Sequence, residues 1–174
     1  MAKYVALLRA VNVGGTGKLP MADLKAMCDD IGLANVRTYI ASGNVVFQST
    51  LSAANVKAHL EESLEDYSGK PVGVVIRSAD EMATVLAQNP FPNGAPNRVV
   101  VTFIDDALDA AALAGVTGQQ SEQVSFGLGK KSGREIYVYF PDGQGNSKLK
   151  IPAAKQGTGR NMNTVAKLVE MVGE

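Results

Sequence analysis

Residues 4–11 are apolar on both of their alternating faces, with Tyr4, Ala6 and Leu8 on one and Val5, Leu7 and Val11 on the other. A strand with one wet face alternates apolar and polar residues, whereas a strand apolar on both faces needs covering structure on each side. The chain must therefore build layers around this segment and keep it inside a sheet.

The segments that follow say what those layers are. A Gly-rich loop spans 12–20. Residues 21–31 read as a helix, because Leu24, Met27, Cys28 and Ile31 recur at helical spacing and Gly32 ends the run. Strands at 36–41 and 44–48 flank a tight turn at Ser42-Gly43. A second helix over 52–67 is expected to face Val56, Leu60, Leu64 and Tyr67 inward, and a strand follows at 71–77. The order β-α-β-β-α-β is the ferredoxin-like pattern. Ser78-Ala79-Asp80-Glu81 is a capping box that opens another helix, running to about Gln88. Three prolines between Pro90 and Pro96 then mark a surface loop.

The second half repeats the theme. A strand is expected at 98–104 and a helix at 105–114. Strands at 124–128 and 135–140 flank a turn at Lys130-Lys131-Ser132-Gly133. A helical segment is expected from near Ser147, and a last helix over 163–172. The fold class is α+β: a ferredoxin-like βαββαβ unit followed by a second βαββα-type unit that lacks the final strand. The boundary is placed between residues 78 and 79, with 79–174 forming a second subdomain packed against the first. The two halves show no obvious sequence identity.

Composition narrows the function. Lys plus Arg and Asp plus Glu number 17 each in 174 residues. A net charge of zero argues against coating duplex nucleic acid, which needs a basic field. The single cysteine, Cys28, forms no internal disulfide and suits a reducing compartment. The N-terminal apolar run is interrupted by Arg9, with no small-residue cleavage site after it, so a signal peptide is not expected. No apolar stretch approaches the ~20 residues that span a bilayer. The expected location is the cytoplasm.

No complete catalytic or cofactor motif is present. The loop Asn12-Val13-Gly14-Gly15-Thr16-Gly17-Lys18 follows a buried strand and precedes a helix, the setting of a phosphate cradle. The Walker A pattern fails at Asn12 and Leu19, and the dinucleotide pattern fails at Pro20. A turn that needs positive φ at glycine is the plainer explanation of the loop, with an anion site as its alternative. The Gly-rich turn at 141–148 is explained by capping. Thr158-Gly159-Arg160-Asn161-Met162-Asn163 reads as the opening of the last helix. An Arg there opposes the helix dipole, so Arg160 is expected to have an anionic partner, either an internal carboxylate or a ligand. Arg9, near the end of a buried strand, must likewise be paired or reach a pocket. His59 has no companions at metal-ligand spacing, and Cys28 lies on a core stripe. Tyr137 and Tyr139 share a strand face near Lys130, Lys131 and Arg134, an arrangement that could stack single-stranded RNA, but Glu135 stands where that module requires Gly.

Three stretches together resemble a bacterial family, domain of unknown function 1697. They are Leu8-Arg9-Ala10-Val11-Asn12-Val13-Gly14-Gly15, Tyr39-Ile40-Ala41-Ser42-Gly43-Asn44-Val45-Val46-Phe47 and Thr158-Gly159-Arg160-Asn161-Met162-Asn163-Thr164-Val165. The resemblance implies a ferredoxin-like α+β plait and carries no established activity. In the family a Trp usually stands between the last two asparagines, where this chain has Met162.

Three functional expectations follow. The first is a site for a small anionic ligand, phosphate or carboxylate, lined by Arg9, Asn12, Gly14, Gly15, Lys18, Ser42, Asn44, Arg160, Asn161 and Asn163. No metal, cofactor or catalytic residue is assigned to it. The second is a single-stranded nucleic-acid module, disfavoured by Glu135 in the place of the required Gly. The third is a non-catalytic protein that self-associates through sheet edges; the oligomeric state is left open.

Overall fold

The computed structural model describes residues 1–12, 18–108, 111, 114–126 and 133–174. Its contacts divide the chain into two compact units, Met1–Met82 with Leu168–Glu174, and Ala83–Lys167. Each is a helix-bearing, four-stranded antiparallel plait.

The first unit contains β1 (Ala2–Leu8), α1 (Met21–Ile31), β2 (Ala34–Tyr39), β3 (Asn44–Ser49), α2 (Ala53–Ser68) and β4 (Val74–Ser78). The strand order is β2-β3-β1-β4, which is the ferredoxin-like arrangement. β1 sits inside the sheet, and Val5, Ala6, Leu7 and Leu8 are all fully buried, as its two apolar faces require. On one face Ala6, Leu8, Val45, Phe47 and Ile76 pack with Leu24 and Cys28 of α1 and Val56, Leu60 and Leu64 of α2. Tyr67, expected to face inward with them, is instead about half exposed. It stands in the last turn of α2, where its hydroxyl donates to Asp23 Oδ2 at 2.7 Å.

The edge strand β4 does not offer a bare ladder. Lys57 Nζ donates to Val74 O at 2.7 Å, and Val74 N donates to Glu61 Oε2 at 3.2 Å. Side chains of α2 thus occupy backbone groups that would otherwise invite another strand.

The helix ends follow their signals. Ser52 Oγ caps α2 by accepting from Asn55 N at 3.2 Å. Ser78 and Glu81 form the expected reciprocal capping box at the start of α3 (Ala79–Ala87), at 3.1 and 2.8 Å.

The second unit contains β5 (Val99–Phe103), β6 (Gln123–Phe126), β7 (Glu135–Tyr139) and β8 (Thr158–Asn161), in the order β6-β7-β5-β8. β8 is the strand that the sequence reading left out. Its four residues, Thr-Gly-Arg-Asn, carry no apolar alternation, and what makes them a strand is pairing with β5. The helix expected from Ser147 reduces to a 3-10 turn at Pro152–Gln156. The helix expected over 105–114 falls partly outside the described residues, and residues 105–108 are not helical. The turn residues 130–132 also lie outside the described residues. The last helix, α4 (Met162–Gly173), starts directly after β8. Its C-terminal end belongs to the first unit. There Arg37 donates to Met171 O and pairs with Glu174 at 2.5 Å, placing a cation at the negative end of the helix.

The two sheets match residue for residue. Val5 of β1 stands opposite Arg77 and Val46, and Val101 of β5 stands opposite Arg160 and Tyr137. Leu7 stands opposite Asn44, and Phe103 opposite Glu135. Each unit therefore buries an Arg at the end of its fourth strand and a polar residue at the start of its third. Arg77 and Asn44 are fully buried, and Glu135 and Arg160 nearly so. The residue after each Arg, Ser78 or Asn161, caps the next helix: Asn161 Oδ1 accepts from Thr164 N at 3.0 Å.

Two glycines with similar backbone angles give a test of the packing. Gly32 (φ +92°) has open space where a Cβ would stand. At Gly43 (φ +89°) a Cβ would lie 2.7 Å from Val11 Cγ2 and 2.8 Å from Leu8 Cβ. Gly32→Ala is expected to cost about 1 kcal/mol, from backbone strain alone. Gly43→Ala adds overpacking of roughly 1–3 kcal/mol. Equal urea midpoints for the two variants would contradict this account of the hairpin.

Candidate functional site

The first unit's cleft is built where β1 ends. Arg9 N donates to Gly73 O at 2.9 Å, continuing the β1–β4 ladder by one residue. At Gly73 a Cβ would stand 2.9 Å from Arg9 Cδ, so a larger residue there would displace the Arg9 side chain. The Arg9 stem thus lies against bare backbone. The chain then turns through Ala10 (φ +50°) and Asn12 (φ +56°), left-handed conformations that Asn tolerates better than most residues.

Asn12 closes the base of the Gly-rich loop. Its Nδ2 donates to Leu19 O at 2.9 Å and to Ala41 O at 2.8 Å, and its Oδ1 accepts from Leu19 N at 2.6 Å. Both amide protons and the carbonyl are engaged, so Asn12 is a clasp between the loop and the β2–β3 hairpin. The hairpin turn has its own internal tie: Asn44 Nδ2 donates to Tyr39 O and to Ser42 Oγ, both at 2.9 Å. The first two sequence stretches of the family resemblance therefore meet in space. Gly14 and Gly15 lie outside the described residues.

Beside this clasp is a cavity of about 360 Å3. Arg9, Lys18 and Lys70 line it, with Val11, Leu19, Leu64 and Val72 among its apolar walls and Tyr67 at the end of α2. No Asp or Glu is among the described residues that line it. Lys18 and Lys70 have no ion-pair partner among the described residues. Asp23, close enough to Tyr67 for a hydrogen bond, is not part of the lining.

The residues expected to line one site divide between the two units. Arg9 and Lys18 line the cleft. Asn12, Ser42 and Asn44 make the clasp and turn beside it. Arg160, Asn161 and Asn163 belong to the second unit. Arg160 is not at an open helix start. It lies in β8 with its side chain buried, and Nη1 donates to Thr158 Oγ1 at 2.6 Å and to Gly159 O at 2.9 Å. Burial pulls its pKa down to about 10, still far above neutrality, so the cation persists. Asn161 caps α4, and Asn163 is exposed on its first turn. Lys70 escaped the sequence reading, and Tyr67 was expected in the core rather than at a cleft. The signal was the helix stop at Gly69 (φ +78°), after which Lys70-Pro71 turns the chain back toward β4.

The other flagged residues have local explanations. Tyr137 is buried, and its hydroxyl donates to Val85 O at 2.9 Å. Burial, followed by the neighbouring Glu135, pushes its pKa up. It presents no open ring for a base to stack on. Tyr139 packs against Phe91 with ring centres 6.0 Å apart. His59 is exposed. Among the described residues no group of three or more His, Cys, Asp or Glu is placed to hold a metal ion, and no helix is long and apolar enough to cross a membrane.

Comparison with known proteins agrees with the plait. The family described as Protein of unknown function (DUF1697) matches residues 1–137. The chain belongs to this family. The matched span takes in the first two of the three resembling stretches, and with them the whole clasp and cleft. The third stretch, at β8 and α4, lies beyond it. The conserved bacterial protein SP0830 from Streptococcus pneumoniae has the same fold, with a TM-score of 0.78, 24% identity and 98% of each chain covered. No curated protein matches the sequence.

Two predictions follow from this geometry. Arg160→Ala is expected to lower stability by about 1–3 kcal/mol, because buried acceptors lose their donor. An unchanged denaturation midpoint would put the side chain at the surface after all. Cys28 is fully buried, and its pKa is pushed up to about 12, mainly by burial and then by Asp29, with Lys25 opposing. The raised value stabilises the fold fully below the unfolded thiol's ordinary value of 9.0, and that contribution is lost as pH rises toward 12. At pH 7 a thiol reagent should label native protein far more slowly than unfolded protein. Fast stoichiometric labelling of the native state would reopen a reactive role for Cys28.

Proposed function

We propose that this protein binds a small anionic ligand, bearing phosphate or carboxylate, in the cleft lined by Arg9, Lys18 and Lys70. The observation that carries the reading is the lining itself: three cations and no carboxylate among the described residues. The whole chain balances 17 basic against 17 acidic residues, so a pocket of one sign is a local departure from its composition. Arg supplies a planar fork suited to an oxyanion, and Lys supplies compact point charges. Each contact is partly solvated and worth on the order of 1 kcal/mol or somewhat more, so several must act together for useful affinity.

No nucleophile–base pair accompanies these cations among the cleft residues. The reading is therefore a binding or sensing site, and any chemistry there would be electrostatic stabilisation of a developing negative charge. Burial of Tyr137 takes away one of the two rings, Tyr137 and Tyr139, on which a single-stranded nucleic-acid reading rested. We place the protein in the bacterial cytoplasm, a reading supported by its single buried thiol and the bacterial source of SP0830.

The test is a thermal-shift screen of phosphorylated and carboxylated metabolites at millimolar concentration, at low and high salt. Hits should raise the melting temperature, and the shift should shrink with salt. Arg9→Ala and Lys18→Ala should each weaken a hit severalfold while leaving the unliganded melting temperature within about 2 °C, as for exposed or half-exposed substitutions. If no anion shifts the wild type, or if hits are indifferent to both substitutions, the cleft is not the site.

A further inference from the structure

The cations account for only part of the cleft's surface. Val11, Leu19, Leu64 and Val72 also line it, and a bare phosphate or carboxylate has no use for them. At about 360 Å3 the cavity lies near the lower end of the ~300–1,000 Å3 typical of small-molecule sites. That is far more room than one five-atom oxyanion needs, since a water's share of liquid volume is about 30 Å3. Tyr67 adds an aromatic surface. Its ring is about half exposed, yet its hydroxyl is tied to Asp23 at 2.7 Å, which links the last turn of α2 to the first turn of α1. A half-exposed aromatic ring held in place at the wall of a pocket is suited to stacking on a flat apolar group.

Resting on the reading above, we propose that the ligand class of this cleft is an amphipathic anion: one phosphate or carboxylate joined to a compact, flat body of about one or two rings. The charged group meets Arg9, Lys18 and Lys70. The ring body lies along the apolar wall and against Tyr67. Recognition then needs both parts, because partly solvated cations alone bind an anion weakly in water, and the apolar wall alone does not distinguish one ring from another.

Calorimetric titration of the wild-type protein with inorganic phosphate and with phenyl phosphate, at matched ionic strength, tests this. A second pair, acetate and benzoate, distinguishes phosphate from carboxylate as the preferred head group. The aromatic member of at least one pair should bind about tenfold or more tighter than the bare anion. Tyr67→Ala should erase most of that preference, read as the ratio of the aromatic to the bare anion's affinity in the same variant. Arg9→Ala should weaken both members of the pair. Because Tyr67 is an exposed helix-end residue, its variant should fold normally, and the melting temperature verifies this. Equal affinity of bare and aromatic anions would overturn the amphipathic class and leave the anion reading standing. A preference that survives Tyr67→Ala would overturn the role given to the ring. Absence of binding by all four compounds would remove the anion reading, and this inference with it.

Discussion

The side-chain amide of Asn12 is the tie on which the geometry of the first unit's cleft depends. It bonds the peptide of Leu19 on both sides, at N and at O, and also reaches Ala41 O in the β2–β3 turn. Closing a loop costs entropy, and three bonds from one side chain offset part of that cost by tying Asn12 to Leu19 and to the hairpin at Ala41. They also set the exits of Arg9 and Lys18, which flank the tie on either side in sequence. Gly43 fits against Leu8 and Val11 with no room for a Cβ, so the hairpin approaches β1 as closely as the backbone permits. Clasp and close approach together place two chain segments, some 30 residues apart in sequence, against the end of one strand.

The matching registers of the two sheets raise a question of energy. A buried Arg is a weak source of stability, because desolvating the guanidinium offsets much of what its partners return. Yet Arg77 and Arg160 occupy the same register position in both plaits, opposite Val5 and Val101. Register supplies a reason. A one-residue slip of a strand moves every side chain to the other face. For β4 that would put Arg77 among Ala6, Leu8 and Phe47, and for β8 it would put Arg160 among Val100, Ile136 and Val138. Neither cluster has a use for a cation. A buried Arg therefore penalises the wrong pairing more than it rewards the right one. This matters most for β8, whose four residues have no apolar pattern of their own to hold them in place.

What the sequence made legible follows the same physics. β1, both long helices of the first unit and the Ser78–Glu81 box were readable because periodicity and capping are local signals. β8 was not, since a strand that borrows its order from a neighbour shows nothing in its own residues. Arg160 was misplaced for that reason: with the strand unseen, the residue seemed to stand at a helix start, and an argument about dipoles was applied to a side chain that is in fact buried. Tyr67 kept the helical spacing of Val56, Leu60 and Leu64 but sits where α2 has run past the sheet, so periodicity outlasted the core it served. Arg9 and Lys18 were legible as candidates because a cation beside a buried strand or a glycine loop demands a partner. Lys70 was not, since its membership in the cleft depends on the fold returning residue 70 to the neighbourhood of residue 9.

The electrostatics of the cleft are decided locally, and they resist the obvious objection that a neutral protein has no reason to bind anions. At physiological salt, charges on opposite surfaces are screened beyond roughly 8 Å, so whole-chain neutrality hardly reaches the cleft. Two negative contributions can be placed near the cleft among the described residues. The last turn of α2 ends at the cleft and carries roughly half a negative charge from its carbonyls. Part of that is already taken up: Ser68 Oγ donates to Leu64 O at 2.9 Å, and Gly69 N donates to Glu65 O at 2.8 Å. The other is Asp23, which accepts the Tyr67 hydroxyl outside the lining. Against a fraction of a dipole charge and one solvated carboxylate stand three full cations. Lys70, just past the helix end, answers the α2 carbonyls by position, as cations at helix C-termini do. That leaves Lys18, which has no ion-pair partner among the described residues, beyond what the helix end accounts for. A helix end can account for one cation in this cleft, but not for three.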